Sequence, residues 1–265
     1  MDKLFHIQPS RTVAAITLSL GLILGAGAGS ANAAGGAPKP EKQEWSFNGM
    51  FGTFDRGALR RGFQVYSEVC ASCHALGLIA YRNLEDIGFS EDEIKEIAAE
   101  AEVEDGPDDE GEMYMRPAIP ADRMVPPFAN DNAARSSNNG ALPPDLSLMV
   151  KARIGGADYL YGLMTGYKED APDGFELSEG MNYNTYFPGH QIAMAPPLDD
   201  DMVEYADGTP ATLQQHARDV TTFLAWTASP EMEERKSLGI KTILFLIVLT
   251  AMMYALKKKI WAKLH

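Results

Sequence analysis

The feature that most constrains this chain is the motif Cys70-Ala71-Ser72-Cys73-His74, which holds the only two cysteines among 265 residues. Two thiols three positions apart, followed at once by a histidine, form the pattern of covalent c-type haem attachment. With this spacing both sulfurs can reach the vinyl groups along one porphyrin edge, and the imidazole lies under the iron as an axial ligand. The motif therefore predicts one haem c, attached through Cys70 and Cys73 and ligated by His74.

Two other uses of a Cys-x-x-Cys pair are less consistent with this sequence. A structural zinc site has four ligands, usually including a second Cys/His pair, and no such pair follows Cys73. A thioredoxin-like redox pair belongs to a βαβ context, which the sequence pattern does not indicate. Haem attachment is therefore the preferred interpretation.

The N-terminus has the pattern of a secretory signal, which places the motif in an exported protein. Lys3 and Arg11 supply a positive start, an apolar run covers residues 13–28, and Ala31-Asn32-Ala33 is typical of a cleavage site. A first transmembrane helix is the alternative, but the run is short and rich in Gly and Ala. We expect residues 1–33 to be removed, which agrees with haem attachment on the far side of the membrane.

A second apolar run, residues 238–256, predicts a transmembrane anchor. Its only charged residue is Lys241, and about 19 residues at 1.5 Å each nearly match a hydrocarbon core of roughly 30 Å. Lys257–Lys259 follow, and the positive-inside rule places the tail 257–265 in the cytoplasm. The alternative, a buried core helix, fits poorly with a run that ends in three lysines. Residues 34–237 then form one haem domain in the periplasm, tethered to the bacterial inner membrane.

The charge of the chain limits its partners. The net charge is −14, and a surplus of six positive charges lies outside residues 34–240, which leaves −20 between them. Such a domain repels nucleic acid. It favours a basic soluble partner, with an attraction that weakens as salt rises.

The remaining pattern predicts an all-α fold with long wrapping segments. Asp55 is a candidate N-cap for a helix over 56–73, whose apolar residues recur every three or four positions. Further helices are expected near 90–102, 145–153, 157–165 and 212–226, and wrapping segments near 116–147 and 170–200. The acidic stretch 91–112 is interpreted as a solvated, partly mobile insertion. The first and last soluble helices should cross near Gly62, Tyr66 and Phe223.

The second axial ligand decides what such a haem can do. An open position allows chemistry at the iron, for example in a peroxidase, whereas a second strong ligand gives an electron carrier. Apart from His74, and with the signal and the cytoplasmic tail excluded, the candidate ligand histidines are His190 and His216. Of these, His216 is expected on the solvated side of its helix. Met124 and Met194 each lie in a proline-stiffened loop. The residues alone favour Met194 but leave Met124 open.

Three long motifs resemble the cytochrome c1 family, the haem subunits of cytochrome bc1 complexes. Residues 61–74 resemble the haem-attachment helix, residues 138–147 the wrapping segment, and residues 186–198 the loop that supplies the sixth ligand. The resemblance implies that Met194 is the sixth ligand and that Arg153 lies near a haem propionate. It also implies a set of residues lining the haem: Asn138, Pro144, Arg153, Tyr159 and Phe187.

The same resemblance implies a function and its partners. A Rieske iron–sulfur protein would reduce this haem, which would then reduce a soluble cytochrome c, within a complex that also contains cytochrome b. The anchor helix would lie in the lipid bilayer against cytochrome b. A free-standing, membrane-tethered cytochrome c that shuttles electrons to an oxidase is the alternative, because it would share the haem, the signal and the anchor.

Overall fold

The structure is a computed structural model that describes residues 38–262. Seven α-helices lie in this range: α1 Arg56–Val65, α2 Glu91–Ala99, α3 Asp131–Ser137, α4 Met149–Ala152, α5 Gly156–Thr165, α6 Leu213–Thr227 and α7 Met232–Trp261. A π-helical segment, Tyr66–Cys70, continues α1, and a 3-10 helix covers Tyr81–Ile87. The predicted helical fold with long connections is thus confirmed. The predicted signal peptide, residues 1–33, lies outside the described residues.

Two small antiparallel strand pairs lie in the connections between helices. Strand β1, Glu102–Asp105, pairs with β2, Tyr114–Pro117. Strand β3, Asn182–Tyr183, pairs with β4, Gln191–Ile192. Neither pair builds a larger sheet within residues 38–262, so helices form the core.

The centre of the domain is the crossing of α1 and α6. Gly62 is required there, because a Cβ at this position would lie 2.1 Å from the carbonyl oxygen of Asp219 and 2.7 Å from Cβ of Phe223. The rings of Phe63 and Tyr66 lie 5.7 and 5.8 Å from that of Phe223. The predicted crossing near Gly62, Tyr66 and Phe223 is therefore found. It lies directly beside the turn that carries the two cysteines.

Local capping explains where these helices begin. The Asp55 carboxylate accepts a hydrogen bond from the amide of Ala58 at 3.1 Å, and the Thr212 hydroxyl accepts one from Gln215 at 3.2 Å. Such N-caps satisfy amides that have no partner inside the helix. Helix α6 is enclosed on all sides from position 219 to its end, since α1 and α5 both pack on it.

Three sequence predictions differ from the structure. The helix expected over 56–73 is α-helical only to Val65, because the next turn widens into the π-helical segment. The helix expected over 145–153 is reduced to α4, since the Asp145 carboxylate binds the amides of Gly77 and Ser147 instead of capping a helix. The acidic stretch 91–112 is solvated as expected and contains the expected helix as α2, but it also forms the strand β1, which the sequence did not predict.

Helix α7 is long and apolar enough to cross a membrane. An 18-residue window within Met232–Trp261 has a mean hydropathy of 2.0, and none of that window is buried in the protein. The predicted anchor 238–256 lies wholly inside this helix. Only its first turn contacts the helical domain through a buried apolar side chain, that of Met232. The chain therefore contains one candidate membrane-spanning helix in its described part.

Candidate haem site

The two cysteines lie on one tight turn at the end of the π-helical segment. Hydrogen bonds from the amides of Cys73 and His74 to the carbonyl of Cys70, at 3.1 and 2.8 Å, close this turn. Both thiols are free and half-buried. Burial, with a contribution from Cys73, raises the pKa of the Cys70 thiol to about 12. The turn thus presents two thiols three positions apart, as attachment to a single group requires.

The imidazole of His74 is held by its Nδ1 atom. This nitrogen lies 2.8 Å from the carbonyl oxygen of Pro144, and because a carbonyl can only accept, Nδ1 must carry the proton. Nε2 is then the nitrogen with a free lone pair, the arrangement that a second partner imposes on metal-binding histidines. Burial lowers the pKa of His74, which favours the neutral imidazole. The donor set therefore fits an axial ligand of a haem iron.

The Pro144 carbonyl is itself held by contacts between residues 144–147 and the chain after His74. The Leu146 amide donates to the carbonyl of Ala75 at 2.9 Å. The Asp145 carboxylate accepts from the Gly77 amide at 2.7 Å, and the Ser147 hydroxyl accepts from the Leu78 amide at 3.1 Å. Residues 144–147 are thus joined to the chain directly after His74. Pro144, predicted to line the haem, is brought to the motif through its carbonyl.

A further restraint on His74 comes from Tyr66, which lies one turn before the motif. Its hydroxyl donates to the carbonyl oxygen of His74 at 2.9 Å, while its ring packs at the helix crossing. Burial is the main cause that raises the pKa of this phenol above its usual range, so the hydroxyl keeps its proton. Tyr66 was predicted as a core residue, and only the structure reveals its bond to His74.

Met194 lies in a loop whose backbone is held by two polar side chains. Its carbonyl oxygen accepts from the Tyr167 hydroxyl at 3.1 Å and from the Asn182 amide at 3.3 Å. The side chain of Met194 is half-buried. Sequence reasoning missed Tyr167 and Asn182, because nothing in the local pattern marks them. Their spacing from Met194, 27 and 12 positions, becomes meaningful only when the loop is folded.

The loop also depends on a fully buried asparagine. The side-chain amide of Asn184 donates to the carbonyl of Leu163 at 2.7 Å, and its carbonyl oxygen accepts from the amides of Tyr186 and Phe187. A buried amide with all these partners fixes the chain path from β3 into the 186–198 segment. Phe187, a predicted haem-lining residue, is half-buried at that corner.

The alternative methionine has a different environment. Met124 is 6% exposed and belongs to the hydrophobic core cluster. Its amide donates to the carbonyl of Ile79 at 2.9 Å. These contacts explain Met124 as a core side chain, and they favour Met194 as the ligand.

The two candidate histidines also have structural roles. The ring of His190 stacks on Tyr183 with centroids 5.6 Å apart, and its Nδ1 lies 3.3 Å from the carbonyl of Asn184. The prediction that His216 is solvated is wrong, since it is completely buried. Its Nδ1 lies 2.8 Å from the Tyr205 hydroxyl, because the segment after Met194 folds over this side of α6.

The remaining predicted haem-lining residues lie on separate elements. Asn138 ends α3, where its side chain donates to the carbonyl of Ala134 at 2.7 Å. Arg153 is exposed after α4, and Tyr159 is buried on α5. Burial raises the pKa of Tyr159, while the charge of Arg153 acts against that shift, so these two side chains are near each other. Within residues 38–262, no hydrogen bond links these three residues to the cysteines or to His74.

Comparison with known proteins adds a family relationship to this geometry. Residues 45–264 match the model of the Cytochrome C1 family. Cytochrome c1 of Rhodospirillum rubrum is 51% identical over 259 residues, which cover 92% of this chain and 95% of the relative. The mitochondrial cytochrome c1 heme protein of Saccharomyces cerevisiae is 53% identical over 82% of this chain and 71% of its own length. The mitochondrial cytochrome b-c1 complex catalytic subunit of Candida albicans is 51% identical over 84% and 77%.

Proposed function

Because the chain belongs to the cytochrome C1 family, we propose that it is the electron-transfer subunit of a cytochrome bc1 complex, with one haem c bound through Cys70 and Cys73. The observation that carries the proposal is the bond between Nδ1 of His74 and the Pro144 carbonyl. It orients a neutral imidazole directly after two adjacent thiols, and it leaves Nε2 as the donor for iron. The relative from Saccharomyces cerevisiae is itself named a heme protein.

The proposed task of the protein residues is to hold the ligands, since a haem with both axial positions filled supplies a one-electron iron couple. His74 is fixed from two sides by Pro144 and Tyr66, which limits rotation of its ring. Met194 would supply a thioether sulfur, a soft ligand that favours the reduced state. Its backbone is restrained by Tyr167 and Asn182, so the sulfur would be presented from a stiff loop.

We further propose that Asn138, Pro144, Arg153, Tyr159 and Phe187 line the haem. Arg153 is suited to a propionate, because an exposed guanidinium can bind a carboxylate in a bidentate manner while one edge stays in water. Tyr159 and Phe187 would supply apolar surface that excludes water from the ring. These assignments rest on the family motif, and for Tyr159 also on its burial.

The proposed partners follow from the charge and from the family. A Rieske iron–sulfur protein would be the donor and a basic soluble cytochrome c the acceptor, since residues 34–240 carry a net charge of −20. Charge complementarity of this kind accelerates encounter and weakens with salt. Cytochrome b would be the membrane partner, in keeping with the name of the relative from Candida albicans, a cytochrome b-c1 complex subunit.

The proposed topology places the haem domain, residues 34–237, in the periplasm of a bacterium. Residues 1–33 would be the removed signal, residues 238–256 would span the inner membrane, and the basic tail 257–265 would lie in the cytoplasm. The long apolar helix α7 supports the anchor, and the four lysines after position 256 support the orientation.

The first experiment is gentle detergent purification of the chain from its own membranes. We expect a c-type haem spectrum, co-purification with b-type haem and an iron–sulfur protein, and quinol-driven reduction of cytochrome c. A lone c-type haem without quinol activity would contradict the proposal and favour a membrane-tethered electron shuttle.

A pair of variants tests the sixth ligand. Met194→Leu removes the proposed thioether, so we expect the reduced protein to bind carbon monoxide and its reduction potential to fall. Met124→Leu is the matched control, because it removes a thioether from the core cluster and should leave the iron closed to carbon monoxide. Carbon monoxide binding in the control, and not in Met194→Leu, would overturn the assignment of the ligand.

A further inference from the structure

A turn near the N-terminus of the domain exposes two large apolar side chains. Residues 46–53, here called the apolar turn, are closed by a hydrogen bond from the Thr53 amide to the carbonyl of Ser46 at 3.1 Å. Gly49 adopts a positive φ of 75° near the tip. Met50 is 60% exposed and Phe51 is 80% exposed. The flanking Trp45 and Phe54 are buried, so the exposure is confined to the tip.

Helix α7 holds the base of this turn. The Lys236 ammonium donates to the carbonyls of Phe47 and Gly52 at 2.7 and 2.9 Å. One helical turn earlier, the Glu233 carboxylate accepts from the Phe54 amide at 2.6 Å and pairs with Arg56. Charge-assisted bonds of this kind are among the stronger hydrogen bonds in proteins. The turn is therefore attached to the first turns of α7.

The two attachment points also give the direction in which the turn extends. Phe54 lies at the level of Glu233, and Gly52 lies at the level of Lys236, about 4.5 Å further along the helix at 1.5 Å per residue. Residues 48–51 lie between the two carbonyls that Lys236 binds, so they form the tip beyond this attachment. Ile240, four positions after Lys236 on this face, is half-buried, whereas the other described residues after Lys236 are exposed. The tip thus extends toward the apolar part of α7.

The membrane boundary falls at the same level. Lys257–Lys259 mark one end of the apolar span. A hydrocarbon core of roughly 30 Å needs about 20 helical residues, so counting back from Lys257 places the other boundary at about position 237. That is the level at which Lys236 holds the apolar turn. This is the level at which acyl chains would meet the lipid headgroups, and the tip with Met50 and Phe51 extends from it.

We propose that the apolar turn inserts Met50 and Phe51 into the lipid interface beside the anchor helix. Residues 46–53 carry no charge, although residues 34–240 carry −20, and an anionic headgroup layer would repel most of that surface. Apolar side chains at this depth leave water for the acyl boundary, as in interfacial anchors. Lys236 satisfies the two carbonyls at the base, so no unpaired acceptor there has to be desolvated. The domain would then be attached to the membrane at two points.

Spin labels on single cysteines test this contact in the full-length haem-bearing protein, in nanodiscs of phosphatidylcholine and phosphatidylglycerol. Phe51→Cys reports the tip, Phe245→Cys on α7 is the lipid reference, and Met113→Cys, 53% exposed in the 106–113 loop, is the water reference. The unsubstituted chain is the labelling blank. Molecular oxygen partitions into lipid and a nickel chelate stays in water, so their collision rates with each label report its depth.

We expect the label at position 51 to resemble that at position 245, with a gain of oxygen collisions and a loss of nickel collisions relative to position 113. Free access of nickel at position 51 would overturn the inference while leaving the anchor intact, provided that position 245 is protected. Protection from both reagents would mean that a protein surface covers the turn, which would also overturn it. Nickel access at positions 51 and 245 together would contradict the membrane anchor itself.

A second variant tests the attachment of the turn to α7. In a Lys236→Met background the carbonyls of Phe47 and Gly52 lose their shared donor, so we expect the label at position 51 to regain nickel collisions. Arg235→Met is the matched control, because its guanidinium pairs with Glu231 on the exposed side of the same helix turn. Equal protection in both backgrounds would refute the holding role of Lys236.

Discussion

Replacement of Gly62 by alanine tests the helix crossing that positions the haem-attachment turn. The added Cβ would lie 2.1 Å from the carbonyl oxygen of Asp219 and 2.7 Å from Cβ of Phe223. Both atoms belong to the rigid backbone side of α6, so neither can move aside as a flexible side chain would. An ordinary contact needs about 3.5 Å or more, and the two helices must therefore separate by more than about 1 Å.

The cost of that separation can be estimated from two opposing terms. Overpacking a close-packed core costs about 1–3 kcal/mol and occasionally more. Alanine in a helix interior recovers up to about 1 kcal/mol relative to glycine. Since the clash is with backbone and displaces Phe223 from its aromatic neighbours, we expect a net loss of about 2 kcal/mol. For a domain of this size, that corresponds to a fall in the unfolding midpoint of about 4–8 °C.

The assay compares thermal unfolding of the full-length protein in mild detergent, followed by circular dichroism at one fixed scan rate. Gly57→Ala is the matched control in the same helix. A Cβ there would meet only the ends of two side chains, those of Asp55 and Arg61, at 3.2 and 3.3 Å. We expect this control to unfold at the wild-type temperature or slightly above it. If Gly62→Ala unfolds no earlier than Gly57→Ala, the close crossing of α1 and α6 is refuted.

Two further predictions concern buried charge. Arg61→Met leaves the fully buried Asp219 carboxylate without its 2.8 Å partner, so we expect a loss of about 3 kcal/mol, the low end of the usual range because Arg61 reaches solvent. Arg60→Met, which removes an exposed ion pair, should lower the free energy of unfolding much less. Equal losses of both variants in denaturant titrations would contradict a buried pair. Burial lowers the pKa of His216, so the folded protein binds fewer protons than the unfolded chain just below the ordinary pKa of about 6.5. Its stabilising contribution is present above that pH and lost as the pH falls, and His216→Gln should lose less stability between pH 7.5 and 5.5 than the wild type; parallel losses would refute this.

The parts of the fold that sequence reasoning predicted are those fixed by neighbouring residues. The cap at Asp55 is a local hydrogen bond between residues three positions apart, so its sequence signal suffices. The close approach at Gly62 was also predictable, because a glycine between large apolar residues on one helix face indicates a packing contact.

The errors arose where a distant segment decides the outcome. Asp145 has the sequence of a helix cap, but its carboxylate binds the amide of Gly77, 68 positions earlier. His216 lies on the polar side of its own helix, yet Tyr205 of another segment packs against its ring and lies within hydrogen-bond distance of its Nδ1. No periodicity within α6 contains that information.

In the candidate site, too, the sequence predicted the parts that depend on neighbouring residues and missed those that depend on distant segments. Cys70, Cys73 and His74 lie within five positions, so the motif alone predicts that they act together. The partner that orients His74 is a backbone carbonyl, which cannot be recognised from the residue type. The restraints on Met194 come from Tyr167 and Asn182, which lie far from it in the sequence. Met194 as the sixth ligand stays a prediction, to which the structure adds that Met124 belongs to the hydrophobic core.

The π-helical segment Tyr66–Cys70 lets α1 meet two geometric requirements separately, the packing on α6 and the direction of the two thiols. The amide of Ala71 bonds back to the carbonyl of Tyr66, five residues earlier, at 2.8 Å, so this turn accommodates one residue more than an α-helical turn. Deleting one residue here would restore a regular helix but rotate Cys70 and Cys73 by about 100° about its axis. The extra residue thus acts as an angular spacer, because it sets the direction of the thiols independently of the face of α1 that packs on α6. The packing face can therefore change without a change in the direction of the thiols.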